Sequence, residues 1–190
     1  MGGIFWASFP TATRKCFCGL DRVDEYLLFL YAHRFHDHTR GSWVAGEVSG
    51  IIGERPLFCI PAQQTIPLLV RCLLVLEDSD EEKLYLAKAV PRDWVASGKE
   101  IRIDQAATRW GGIDFRMISN SDARTVTANI GLARGAAPKE IQVKFRLPAT
   151  HTLQSATVNG REVTLGGPHK DAAIFSPPAD SQLEVIAKWA

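Results

Sequence analysis

The chain has 190 residues, of which 46% are hydrophobic and 23% charged, with a formal net charge of +1. That balance belongs to a globular protein and excludes a chain dominated by disorder. No basic run accompanies the near-zero charge, which excludes nucleic acid as the main partner, because such binding draws on clustered cations.

Residues 1–20 have no hydrophobic period, and Gly2, Gly3 and Pro10 leave them irregular and unassigned. No basic segment precedes their apolar residues, so they make a poor signal peptide, and a chain starting at Met1 is expected in the cytoplasm. Val23, Tyr26, Leu27, Leu30 and Tyr31 then recur at spacings of three and four, with Asp21, Asp24 and Glu25 where the helix dipole favours negative charge. This predicts a helix over about 22–35 with a wide apolar stripe. A long loop with four glycines after Arg40 follows. The next helix is predicted to begin near Pro61 or Thr65, since Pro67 needs a first-turn position or else a kink. Leu68 to Leu76 would cover nearly its whole circumference, and a helix apolar all round must be buried all round, so either the sandwich covers it or helices are missing. The longest apolar run, residues 66–76, contains Arg71 and is too short to span a bilayer, so no membrane partner is expected.

From Leu84 the pattern changes to short alternating runs. Leu84 and Leu86 precede a one-turn helix that Pro91 can open and Gly98 can close, and Ile101 and Ile103 alternate beyond it. Ile113 to Met117, Val126 to Leu132, Ile141 to Leu147 and Leu183 to Ala187 each bury one face. Asn159-Gly160 marks a two-residue hairpin, and turn signals recur at Asn120 to Asp122, Gly135 to Pro138, Gly166 to Pro168 and Pro177-Pro178. The expected fold class is α+β: a helical part over 21–82 followed by an antiparallel β-sandwich over 83–190.

Cys16, Cys18, Cys59 and Cys72 all precede the strand-rich half, which argues against a disulfide-stapled sandwich, and Cys16-x-Cys18 lacks the second pair of a zinc site. His33, His36 and His38 match no metal template whose spacings have known roles, and histidines at a helix C-terminus already favour its dipole. Neither a metal nor another cofactor is expected. No nucleophile elbow, phosphate loop or dinucleotide fingerprint is present. Asp37, Glu47 and Glu54 lie in the glycine-rich loop, where carboxylates serve either as solvated surface groups or as the acid and base of glycoside hydrolysis. Trp43, Trp94 and Trp110 are amphipathic aromatics suited to packing or to stacking on sugars, and Arg109 can stack on Trp110.

The stretch LYLAKAVPRDWVASGKEIRIDQAATRWGGIDFRM, residues 84–117, resembles the junction between an (α/α)6 toroid and a C-terminal β-sandwich in large bacterial six-hairpin glycosidase-like proteins. Pro91, Arg92, Trp94, Thr108, Arg109, Trp110 and Gly111 carry that similarity. Upstream, HTRGSWVAGE looks like the family's T-R-G-T-[FW] stretch followed by a glutamate, matched by Thr39, Arg40, Gly41, Trp43 and Glu47. PAQQTIPLLVRCLLVLED looks like the toroid's last helix. Ala107 replaces a common proline and Ser42 a usual threonine. A toroid has twelve helices and this chain has about two, so the resemblance implies a C-terminal fragment of a hydrolase of carbohydrate metabolism, inactive alone. It implies Glu47 as a catalytic carboxylate and Arg40, Trp43, His38 and Trp110 as substrate-binding residues, with carbohydrate as partner. The alternative is a carbohydrate-binding or interaction sandwich without catalysis. Self-association through an exposed apolar helix face is a third expectation.

Overall fold

The computed structural model describes residues 5–6, 20–36, 38, 44–45, 48–49, 59–96, 98–135, 137–179 and 181–190. Two compact units divide the chain, Met1–Cys72 and Leu73–Ala190. Among the described residues, two α-helices combine with a two-stranded ladder and two larger antiparallel-rich sheets, an α+β architecture carrying a β-sandwich.

In the first unit, β1 (Phe5–Trp6) pairs antiparallel with β2 (Val48–Ser49), a two-residue ladder in sequence that shows no period. Helix α1 (Val23–His36) has Asp24 and Glu25 in its first turn, and Arg22 bonds Glu25 at 2.9 Å. Its buried stripe is Val23, Tyr26, Leu30 and His33. Tyr31, expected in that stripe, is 48% exposed and joins Leu28 and Phe35 on the opposite face. Helix α2 runs from Ile60 to Leu74. The buried Tyr26 hydroxyl donates to the Leu69 carbonyl at 2.6 Å and ties α1 to α2.

The helix begins beside Pro61, one of the two starts expected, and Pro67 therefore lies in its interior. Two other features of α2 depart from expectation. Burial is one-sided: Ala62, Thr65, Leu69, Cys72 and Leu73 are buried at spacings of three and four, whereas Ile60 and Leu68 are exposed. Helix also stops at Leu74, and Val75–Asp78 continues directly as strand β3. The stop has a clear cause. The last turn of a helix leaves carbonyls unpaired, and here the Leu73 and Leu74 carbonyls accept the N–H groups of Ala89 and Ala87 at 3.2 and 2.8 Å. Asp78 then accepts from the N–H groups of Asp80 and Glu81, closing an Asx-type turn into β4 (Lys83–Leu86).

The anticipated one-turn helix is present as a 3₁₀ turn, Arg92–Val95, preceded by Pro91 and followed by Gly98 at φ 76°. The remaining strands are β5 (Glu100–Thr108), β6 (Gly111–Asn120), β7 (Thr125–Gly131), β8 (Glu140–Lys144), β9 (Leu153–Val158), β10 (Arg161–Glu162), β11 (Thr164–Gly166), β12 (Ala172–Phe175) and β13 (Gln182–Trp189). One sheet has the order β10-β9-β13-β7-β6-β5 and the other β11-β12-β8-β4-β3. Every named pair is antiparallel except β4 with β8, which run parallel with Leu84 opposite Ile141 and Leu86 opposite Val143.

Alternation puts the apolar residues on one face of each sheet. Ile113, Phe115, Met117, Val126, Ala128, Ile130, Leu183, Val185 and Ala187 are buried in the larger sheet, and Leu84, Leu86, Ile141, Val143 and Ala173 in the smaller. The β9–β10 turn is Asn159-Gly160, with φ of 48° and 77°, as the hairpin signal requires. The Asn159 side chain also accepts from the Glu184 N–H at 2.8 Å, which fixes this hairpin to β13.

Candidate functional site

Arg40, Trp43 and Glu47, the core of the sugar site implied by the resemblance, lie outside the described residues, as do Thr39 and Gly41. The flanks of that stretch are placed. His38 is buried and bridges Ala45 antiparallel, and its Nδ1 lies 3.3 Å from the His33 carbonyl. Ala45 donates its N–H to the Gln63 side chain at 2.9 Å, and its carbonyl accepts from the Cys59 N–H at 3.1 Å. These bonds hold His38 and Ala45 near the start of α2. Among the described residues, no three of His, Cys, Asp and Glu gather as a metal site. Of the cysteines, Cys59 and Cys72 are described, and both are free thiols.

Trp110 belongs to the other unit, at the two-residue turn between β5 and β6. Thr108 donates its hydroxyl to the Gly111 carbonyl at 2.8 Å and accepts from the Trp110 N–H at 3.2 Å. The indole is 7% exposed, with the Arg109 guanidinium 5.8 Å from its ring centre. Arg109 also donates to the Ser79 carbonyl at 3.1 Å. Trp94, on the 3₁₀ turn, is 39% exposed. Arg92 donates from that turn to the Leu147 carbonyl, so the stretch from Leu84 to Gly111 is bonded to β3 at one end and to the segment after β8 near its middle.

A cleft of about 400 Å³ opens on the outer face of the larger sheet, lined by β5, β6, β7 and β13. Its edge is shaped by a bulge in β5, where the register with β6 shifts between Ile103 and Ala106 and Gln105 takes φ 50°. The Asp114 carboxylate closes this bulge. Its Oδ1 accepts from the Gln105 N–H at 2.8 Å, and its Oδ2 from the Gln105 side-chain amide at 2.7 Å. The backbone bond first, and the amide second, hold the Asp114 carboxyl below the ordinary aspartate range. Beside it, Arg102 pairs with Asp104 at 2.9 Å, and Arg116 takes Glu100 with two nitrogens at 2.7 and 3.3 Å. Hydrogen bonding to Asp104 raises the Arg102 guanidinium further above its ordinary value.

Sequence reasoning missed this cleft because its residues are the polar half of each alternating strand and read as a wetted face. The available signal was two oppositely charged pairs spaced by two, Glu100 with Arg102 and Asp114 with Arg116, on strands joined by a two-residue turn.

No helix among the described residues is long and apolar enough to cross a membrane. No family model matches the chain, and no curated protein matches it either. A solved structure titled "Glycoside hydrolase" is similar over 70% of this chain and 20% of its own, with 12% identity and a TM-score of 0.42. The chain thus spans about a fifth of that structure's length.

Proposed function

We propose that the chain is the C-terminal part of a six-hairpin glycosidase-like protein of carbohydrate metabolism. In this reading residues 21–82 close an (α/α)6 toroid and residues 83–190 form the sandwich that follows it. The observation that carries it is the stretch from Leu84 to Gly111. Its sequence resembles the toroid–sandwich junction, and its fold is the strand, one-turn helix and strand that its local pattern predicts. Glu47 then supplies one carboxylate, with Arg40, Trp43, His38 and Trp110 as sugar contacts. Glycoside hydrolysis commonly needs a second carboxyl group across the scissile bond, and the reading puts that group on toroid helices beyond this chain. The chain alone is therefore inactive. The test is aryl-glycoside turnover by purified protein: no turnover is expected, and turnover abolished by Glu47→Gln would overturn the inactive part. An in-frame toroid in the genomic sequence upstream of Met1 is expected as well.

A second reading, a carbohydrate-binding sandwich without catalysis, is favoured by the polar cleft on the larger sheet. Calorimetric titration with glycans separates the two, since saturable binding without turnover supports the binding module.

A further inference from the structure

We infer that the cleft over β5, β6, β7 and β13 is a site for a short, uncharged saccharide, held by hydrogen bonds along its hydroxyls and not by stacking. The choice of ligand class rests on the carbohydrate-module reading; the location rests on the geometry.

The register places the polar residues in two rows. Arg102, Arg116 and Asn129 lie opposite one another across β5, β6 and β7. Asp114, Gly131 and Gln182 do the same across β6, β7 and β13. Neighbouring strands are about 4.8 Å apart, so each row offers polar groups at a repeat comparable with the width of a sugar ring. Gly131 interrupts the second row. A Cβ there would sit 3.2 Å from both the Asp114 Cβ and the Gln182 Nε2. Its absence lets the Asp114 and Gln182 side chains approach each other closely over the Gly131 backbone, an acceptor on one side and a donor on the other.

Charge narrows the ligand. The guanidinium groups of Arg102 and Arg116 are already paired with Asp104 and Glu100, and Asp114 is satisfied by Gln105. An anion would meet three carboxylates lining the same cleft. Paired groups of this kind keep spare hydrogen-bonding capacity: Arg116 engages Glu100 through Nε and Nη2, and the Nη1 donors take no part in that pair. The Asn129 and Gln182 amides, each donor and acceptor at once, have no side-chain partner among the described residues. A ligand rich in hydroxyls matches such a surface, because every hydroxyl both gives and accepts. The aromatic in the lining, Phe115, is buried and directs its ring to the core, so no stacking platform is offered. The volume falls within the range of small-molecule sites. Affinity without an aromatic floor is expected to be weak, with Kd on the order of 1 mM.

The test is an amide-resolved NMR titration of the full chain with neutral disaccharides, with the matching glucuronides as a charged series. Saturable shifts are expected at Gln105, Arg116, Asn129 and Gln182. Asn129→Ala and Gln182→Ala should each weaken binding roughly 5- to 10-fold while leaving the thermal midpoint unchanged, since neither side chain supports the fold. Saturable binding that both variants leave unchanged, or shifts confined to other strands, would overturn this site and leave the carbohydrate-module reading standing. Tighter binding of glucuronides than of neutral sugars would overturn the charge argument and with it the proposal. No saturable binding up to about 50 mM would overturn the site and the module reading together.

Discussion

The backbone N–H of Arg109 donates to the Glu77 carboxylate at 2.9 Å, so the tip of one sheet's hairpin is fastened to the edge strand of the other sheet. A carboxylate acceptor strengthens such a bond, while partial exposure weakens it. Glu77→Ala is expected to cost about 1 kcal/mol, read as a lower urea midpoint with unchanged slope. Glu77→Gln, which keeps an acceptor at the same reach, should cost less. Equal midpoints for wild type and Glu77→Ala would show that the fastening contributes nothing.

Gly111 is constrained twice. Its φ is 97°, and an added Cβ would meet the Ala133 Cβ at 2.5 Å. Backbone strain of about 1–2 kcal/mol adds to overpacking of about 1–3 kcal/mol, so Gly111→Ala should be among the most damaging small substitutions in the sandwich. Gly135→Ala is the control, because its φ is 106° with nothing within 4 Å of the new Cβ, and only the strain should appear. Ala133→Gly introduced beside Gly111→Ala should recover the packing share. A double-mutant cycle showing no coupling would mean that the contact relaxes freely.

In the first unit, Tyr26→Phe removes the hydroxyl that reaches the Leu69 carbonyl and keeps the ring. The expected loss is about 1 kcal/mol. Tyr26→Ala, which also empties a fully buried site, should lose about 3–5 kcal/mol. Thermal unfolding followed in the helical band resolves the difference, and equal losses would mean that the ring contributes nothing beyond the hydroxyl.

Asp114 predicts a pH response with a definite sign. Its folded pKa is depressed by the Gln105 bonds, so the ionised carboxylate is favoured in the folded state. The associated stabilisation is fully present above the unfolded aspartate value of about 3.9 and is lost as pH falls through the lower folded value. Gln105 amide shifts should move only in that acid window. Asp114→Asn should abolish the transition, and a Gln105 shift centred near neutral pH would contradict the assignment.

Much of the sandwich was legible because strand alternation, the Asn159-Gly160 turn and the Pro91-to-Gly98 turn are local signals with local causes. Where expectation failed, the cause was distant in sequence. Nothing near Leu74 announces a helix end, since Val75 and Leu76 extend the same apolar run; the N–H groups of Ala87 and Ala89 set the stop. Tyr31 shares the spacing of the buried stripe, yet α1 buries Leu30 and His33 instead. The cleft depends on a bulge at residues 103–106 and on register across four strands, neither of which periodicity records. Trp110 and His38 were singled out by type and motif. Their burial depended on partners such as Thr108 and Ala45 that no spacing rule identifies.

The parallel pairing of β4 with β8 sets an order of events during synthesis. The β3–β4 hairpin leaves the ribosome first, but β4 faces β8 only after β5, β6 and β7 have emerged, because Lys83 must lie beside Glu140. At about 5–20 residues per second, Leu84 and Leu86 wait several seconds with one strand edge unpaired. A nascent chain arrested before residue 140 would thus display an adhesive edge that the finished protein hides.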